Sequence, residues 1–360
     1  MKKRKDGRYQ KNVQIGYHPD GRRKFKTIYG NTQQEVKNEE RELKSLIDSG
    51  AVISDETTLS QWSLKWLKVY QHEKTYNTKE MYRNSIEKHI IPSLGDIPIS
   101  KIRPIQIREA INDLIDAKKY RTAEIFQLTI NQLLACANNE GLLNRIVKSN
   151  VKIPKQDSKS RVLTNIELKA IKETTFDAKQ RLFLNLLLFT GMRRGEVLAL
   201  DIFDFDMKEN TVNVRKNLIF KGNDSEISSP KTKAGYRIIK IPQFLMDDIK
   251  QFIGTNTILF VGQNGKHMSR SSFRRFWDKI IKQINEYAKE DCLEVDFTPH
   301  TFRHTYATNL YYAGVDVKTA QYLLGHSTLQ VTLEIYTHLD RQKISTQNDS
   351  VIKFIQNLTA

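Results

Sequence analysis

Between residues 151 and 161 the chain reads VKIPKQDSKSR, with no hydrophobic periodicity and four cations, Lys152, Lys155, Lys159 and Arg161. A stretch that offers no apolar face to a core reads as a basic interdomain linker, so the chain must fold as separate units on either side of it. Residues 58–150 are patterned as helices throughout. Thr58-Leu59-Ser60-Gln61 is a helix-start capping box, and Leu59, Trp62, Leu64, Trp66, Leu67 and Tyr70 follow it. A second helix is expected over 78–89, stopping before Pro92, with a turn at 93–96. Pro104 opens a third, striped by Ile105, Ile107, Ile111, Leu114 and Ile115, and a fourth over 122–139 is capped by Gly141. Residues 162–360 are mixed α and β. They contain a capping box at 164–167, an apolar helix over 180–190 and short strands at 212–214, 218–220 and 236–241. Helices are expected over 271–287, 301–312, 319–324 and 329–336.

The first 50 residues form a third unit. Lys2, Lys3, Arg4, Lys5, Arg8, Lys11, Arg22, Arg23, Lys24 and Lys26 are opposed there only by Asp6 and Asp20 across residues 1–26. Val13, Ile15 and Tyr17 alternate with polar residues, His18-Pro19-Asp20-Gly21 supplies a turn, and Phe25 with Thr27 to Tyr29 resumes the strand pattern. A helix over 32–46 follows. This is a small basic sheet packed by one helix, a shape that can enter a DNA major groove. A solvated basic arm is the alternative, but disorder needs neither the turn nor the alternation.

The whole chain of 360 residues carries 58 Lys and Arg against 41 Asp and Glu, a formal charge of +17. Such an excess calls for a polyanionic partner, nucleic acid before anionic membrane. No apolar run reaches the roughly 18 residues that span a bilayer, and no apolar segment follows the basic N-terminus as in a signal peptide. Cys136 and Cys292 are the only cysteines, which excludes a disulfide framework or a Cys-rich zinc module and suits a reducing cytoplasm.

Three clusters carry chemistry. In TGMRRGEVLAL an apolar helix ends, Gly191 permits a tight turn, and Arg193 stands at the start of the next helix, where backbone N–H groups also favour an anion. In HTFRHTYATNL, His300 and Arg303 are three apart on one helix face, and an imidazole converging with a guanidinium suits a phosphate oxygen. His300 and His304 also have the i, i+4 spacing of a zinc helix, but the acid that would accompany them is absent and Arg303 would repel a cation. In LGHSTLQVTLEIYTH, Gly325 ends a helix, His326 opens the next turn, and Tyr336 follows. Taken alone, Tyr336 would read as amphipathic packing.

In this order, Arg, His-x-x-Arg, Gly-His, Tyr, the clusters resemble the tyrosine recombinase family, especially phage and conjugative-element integrases. PKTKAGYRIIKIP, between the first and second, is similar to that family's lysine-bearing β-hairpin. The resemblance covers about half of the chain. It implies a multidomain fold: an arm-type DNA-binding domain at 1–50 (three-stranded sheet plus helix), a helical core-binding domain at 58–150, the basic linker at 151–161, and a mixed, mostly helical catalytic domain at 162–360 with a C-terminal exchange tail. It implies that Arg193, Arg303 and His326 clamp the scissile phosphate and that His300 takes or orients a proton. Tyr336 is then the nucleophile of a covalent 3′-phosphotyrosyl intermediate, and Lys231 protonates the leaving 5′-oxygen from the hairpin. Lys233, two positions on and expected on the same strand face, is open for that last role. Glu196 would orient Arg193 or His300, and Arg194 receives no chemistry. No cofactor and no metal are implied. The implied partners are double-stranded DNA at core-type and arm-type sites, three further copies of the chain in a tetramer, a small excisionase and a host DNA-bending protein.

Three other readings share some of these features. A non-catalytic DNA-binding protein would explain the charge but not the constellation. A type IB topoisomerase shares the phosphotyrosine chemistry but needs no extra N-terminal module. A metallohydrolase built on His300 and His304 would respond to chelator.

Overall fold

The computed structural model describes residues 2–3, 6–17, 22–48, 57–71, 73–143, 145, 147–154, 161–230, 232–252, 257–262, 265–288, 294–337 and 339–340. The chain divides into two compact units, Met1–Asp157 and Ser158–Ala360. The expected turn at His18 to Gly21, most of the linker, Lys231, Cys292 and the tail beyond Asp340 lie outside the described residues.

Within the first unit, β1 (Lys2–Lys3), β2 (Tyr9–Tyr17) and β3 (Arg23–Gly30) make an antiparallel sheet in that order. Alternation sets its two faces. Val13 and Ile28 point to helix α1 (Gln33–Asp48) and are buried with Val36 and Leu43. Lys11 is held on that side by an ion pair with Glu40. Arg23, Phe25 and Tyr29 remain exposed, and Thr27 hydrogen-bonds its cross-strand partner Asn12 at 2.7 Å.

The rest of this unit is helical: α2 (Leu59–Val69), α3 (Tyr76–Ser85), α4 (Ile91–Leu94), α5 (Pro104–Asp116) and α6 (Tyr120–Asn139). Thr58 and Gln61 form the expected capping box. Trp62, Trp66, Phe126, Ile130, Leu133 and Leu134 fill the core, and Trp62 Nε1 donates to the Leu133 carbonyl at 2.9 Å. Pro92 corrects an expectation, because the chain does not leave the helix before it. A π-helical turn, Ile86–Ile90, joins α3 to α4, and Ile91 N–H donates to Ile86, five residues back. That shift of register places Pro92 in the first turn of α4, where its missing N–H is tolerated. The first linker residues are also ordered against this unit. The Gln127 side chain bonds both the N–H and the carbonyl of Val151, and Val151 and Ile153 pack on the core.

The second unit is built around α8 (Ala178–Thr190), which is buried on several sides by Leu182, Phe183, Leu184, Leu186 and Leu187. Its remaining helices are α7 (Asn165–Glu173), α9 (Arg194–Leu198), α10 (Gln243–Phe252), α11 (Arg270–Ala288), α12 (Pro299–Tyr312), α13 (Val317–Leu324) and α14 over 329–337. α8 packs against α10 and α12. Two small sheets accompany them. β4 (Phe205–Asp206), β5 (Thr211–Val214) and β8 (Arg237–Lys240) form one, in the order β4-β5-β8. β6 (Asn217–Lys221) and β7 (Asp224–Ser228) form the other, a hairpin turned at Gly222. β7 and β8 therefore lie in different sheets and do not pair as the two arms of one hairpin. Lys233 begins a 3-10 turn, Lys233–Gly235, and does not stand on a strand face as expected. Among the described residues no helix is long and apolar enough to cross a membrane.

Candidate active site

Two left-handed glycines aim the site's backbone. Gly191 (φ +60°) ends α8 and Gly325 (φ +63°) ends α13. A Cβ on Gly191 would lie 2.2 Å from the Tyr306 ring, and L side chains seldom adopt that φ. Gly191→Ala is expected to destabilise the chain by about 2 kcal/mol or more, read as a lower urea midpoint at unchanged slope.

Arg303 projects from α12 between these two turns. It is 4% exposed and donates to the carbonyls of Gly191 (3.0 Å) and Leu324. Burial, then the charge of Arg193, pushes its pKa down to about 9, so it is still protonated at neutral pH. Arg193 stands just before α9. Its Nη1 meets Glu196 at 2.9 Å, its Nη2 donates to the Gly325 carbonyl at 3.2 Å, and its own N–H donates to Glu196 at 2.8 Å. Unlike Arg303 it is partly open to solvent.

His326, 9% exposed, follows Gly325, with Nδ1 2.9 Å from Thr332 Oγ1. That contact fixes the ring and leaves Nε2 available. Burial, then Arg303, Arg193 and Arg237, draws the His326 pKa down to about 4. His300 sits at the head of α12 with its ring edge-to-face on His304, centroids 4.7 Å apart. It is exposed on one side, yet desolvation of the ring and the neighbouring charges of His304, Arg303 and Arg193 hold its pKa down to about 4 as well. Both imidazoles are neutral at pH 7, the form that retains a proton-accepting nitrogen. Among the described residues no three His, Cys, Asp or Glu side chains gather as a metal set.

Arg237 completes the cluster and was not singled out from sequence. Its side chain is fully buried, with Nη2 on Glu196 at 2.8 Å, Nη1 on the Gly235 carbonyl at 3.1 Å and Nε on the Leu323 carbonyl at 2.8 Å. The signal was its register: Arg237 shares the inward face of β8 with the buried Ile239. A cation on an apolar face is a buried cation with a dedicated partner. Burial alone would raise the Glu196 pKa, but Arg237 and then Arg193 outweigh it and hold the carboxyl below its ordinary value. Of the two groups Glu196 was expected to orient, it holds Arg193.

The structure brings Arg193, Arg303 and His326 together, with His300 close enough to feel their charge. It does not bring Tyr336 to them. Tyr336 is 7% exposed on α14, donates its hydroxyl to the Val315 carbonyl at 3.0 Å, and stacks edge-on against Tyr311. Burial, then the charge of Asp316, raises its pKa, so the phenol is protonated in this position. Asp316, not an arginine, is its charged neighbour.

Residues 159–343 match the phage integrase family, and residues 58–115 match the N-terminal SAM-like domain of phage integrases. A tyrosine recombinase XerC-like protein of Caldanaerobacter subterraneus subsp. tengcongensis is 27% identical over 386 residues, covering 96% of each chain. The Tn1549 transposon integrase, solved in complex with a circular intermediate DNA, superposes with a TM-score of 0.68 at 23% identity, over 81% of this chain and 99% of that one. A lambda integrase from a tetramer bound to a Holliday junction gives 0.59 at 20% identity, over 92% and 93%. These two likenesses show the fold, mostly helical with small sheets, and the family match covers half of the chain. With its arginines and histidines gathered between two glycine turns, the chain belongs to the phage integrase family and is an enzyme of the tyrosine recombinase class.

Proposed function

We propose that this chain is a site-specific DNA recombinase that integrates and excises a mobile element or prophage, cutting and rejoining strands through a 3′-phosphotyrosine on Tyr336. The observation that carries the reading is the convergence of Arg193, Arg303 and His326 at the Gly191 and Gly325 turns. Preorganised donors of this kind stabilise the charge that develops on a phosphate in the transition state.

In this account Arg193 and Arg303 hold the scissile phosphate with His326. The Tyr336 oxygen attacks phosphorus and its proton passes to His300, neutral at pH 7. The bond from phosphorus to the 5′-oxygen breaks, and that oxygen takes a proton from Lys231, or from Lys233. One phosphodiester replaces another of similar energy, so the step is reversible and needs no ATP. The 5′-hydroxyl of a partner strand then reverses the attack. Exchange of four strands calls for four protomers, as the lambda assembly supports. Before attack, the Tyr336 hydroxyl has to leave the Val315 carbonyl.

The domain assignment belongs to the same proposal. Residues 1–50 bind arm-type sites, 58–150 bind the core site with the linker at 151–161 along the backbone, and 162–360 carry the chemistry, with the tail engaging a neighbouring copy. An excisionase and a host DNA-bending protein set direction, and the reaction takes place in a bacterial cytoplasm. Duplexes of randomised sequence, each nicked beside a candidate cleavage position, test this reading. The chain is expected to capture a subset in complexes that survive detergent, and capture of none contradicts it. Deleting residues 1–50 is expected to lower the slope of log affinity against log salt by about 0.9 for each phosphate that segment neutralises, with core cleavage retained. An unchanged slope contradicts the arm-site assignment.

A further inference from the structure

We propose that Arg237 is a positioning residue, the counter-ion that lets Glu196 orient Arg193 without cancelling its charge. The proposal rests on the reading above, in which Arg193 holds the scissile phosphate.

Glu196 accepts the Arg193 backbone N–H and its Nη1. These two bonds fix the guanidinium, but a lone carboxylate in such contact would also neutralise it. Arg237 meets the same carboxylate through two nitrogens, at 2.8 and 3.3 Å. Two guanidinium ions, Arg193 and Arg237, thus share one carboxylate, and Arg303 stands near enough to feel its charge. Without Arg237 the Arg193–Glu196 pair is neutral, and Arg303 is the remaining net charge among these four groups.

Arg237 cannot itself serve the phosphate. Its side chain is fully buried, and besides Glu196 it is engaged by the carbonyls of Gly235, through Nη1, and Leu323, through Nε. Arg193, by contrast, is partly open. The Gly-His turn is also built around Arg237: a Cβ on Gly325 would lie 2.9 Å from its Nη1. One side chain on β8 therefore ties together the Arg193 turn, the His326 turn and the strand that follows the lysine-bearing segment.

Charge balance and simple propping differ in how they respond to the substrate's own charge. A duplex captured by the wild-type chain is prepared with its mapped scissile linkage either as a phosphodiester or as an uncharged methylphosphonate. On the diester, Arg237→Gln is expected to slow covalent capture about a hundredfold per DNA-bound molecule. The double variant Glu196→Gln with Arg237→Gln is expected to regain about tenfold, because the amide oxygen can still accept one of the two Arg193 donors while carrying no charge to cancel it. Arg237→Lys keeps the counter-charge but cannot span the same partners, and is expected to stay within about tenfold of wild type even if the glutamine variant fails to fold. On the methylphosphonate, which needs less positive charge, Arg237→Gln is expected to approach the wild-type rate. Equal slowing on both linkages, a double variant no faster than the single one, or a lysine variant as impaired as the glutamine one overturns the inference alone. A wild-type chain that captures no duplex overturns the underlying reading with it.

Discussion

Tyr336→Phe is expected to bind captured duplexes as tightly as the wild-type chain and to form no covalent adduct with any of them. The substitution removes one oxygen. In this structure that oxygen donates to the Val315 carbonyl, a bond whose loss costs about 1 kcal/mol, while the ring keeps its place against Tyr311. Folding and DNA binding are therefore preserved and the nucleophile is gone. Gel electrophoresis of labelled DNA in detergent reads the adduct, and a filter or shift assay reads binding. An adduct of undiminished yield removes Tyr336 from the mechanism. The same result separates the enzyme from a DNA-binding protein that merely keeps the fold, since wild type and variant would then be alike from the outset.

Arg303→Lys is expected to lower the rate of covalent capture about a thousandfold with binding little changed. The charge survives this substitution but the geometry does not. Arg303 reaches the carbonyls of Gly191 and Leu324 with separate nitrogens, which places its fork between the two glycine turns. A lysine presents one ammonium, which cannot hold both carbonyls and present a planar pair of donors to phosphate. Single-turnover rates on the diester check it. A lysine variant within tenfold of wild type would show that charge alone suffices at this position.

Much of this arrangement is legible in the residues because its signals are local. The Thr58 capping box, the Gly191 stop after an apolar helix and the His300-to-Arg303 spacing each act within a few positions, and each stands where it was expected. The π turn before Pro92 was not legible, since a proline inside a helical pattern ordinarily marks its end. The path of the lysine segment was hidden for another reason. PKTKAGYRIIKIP resembles a lysine-bearing β-hairpin, but β8 pairs with β5 and not with β7, a long-range choice that periodicity does not encode. Arg237 was passed over because a single cation in an alternating strand looks like its solvent face. Only the burial of Ile239 shows which face is inside. The placement of Tyr336 lay beyond reach altogether, because docking of α14 on Val315 depends on tertiary packing that the Tyr motif does not specify.

In the proposed reaction the Tyr336 oxygen takes the DNA strand. Trypsin cutting after Lys318 and Arg341 releases a peptide, TAQYLLGHSTLQVTLEIYTHLDR, that holds both Tyr322 and Tyr336. After covalent capture and nuclease digestion, fragmentation of this peptide in the mass spectrometer locates any nucleotide remnant. A 3′-linked remnant is expected on Tyr336. A remnant on Tyr322, or an unmodified peptide from a chain held covalently on DNA, contradicts it.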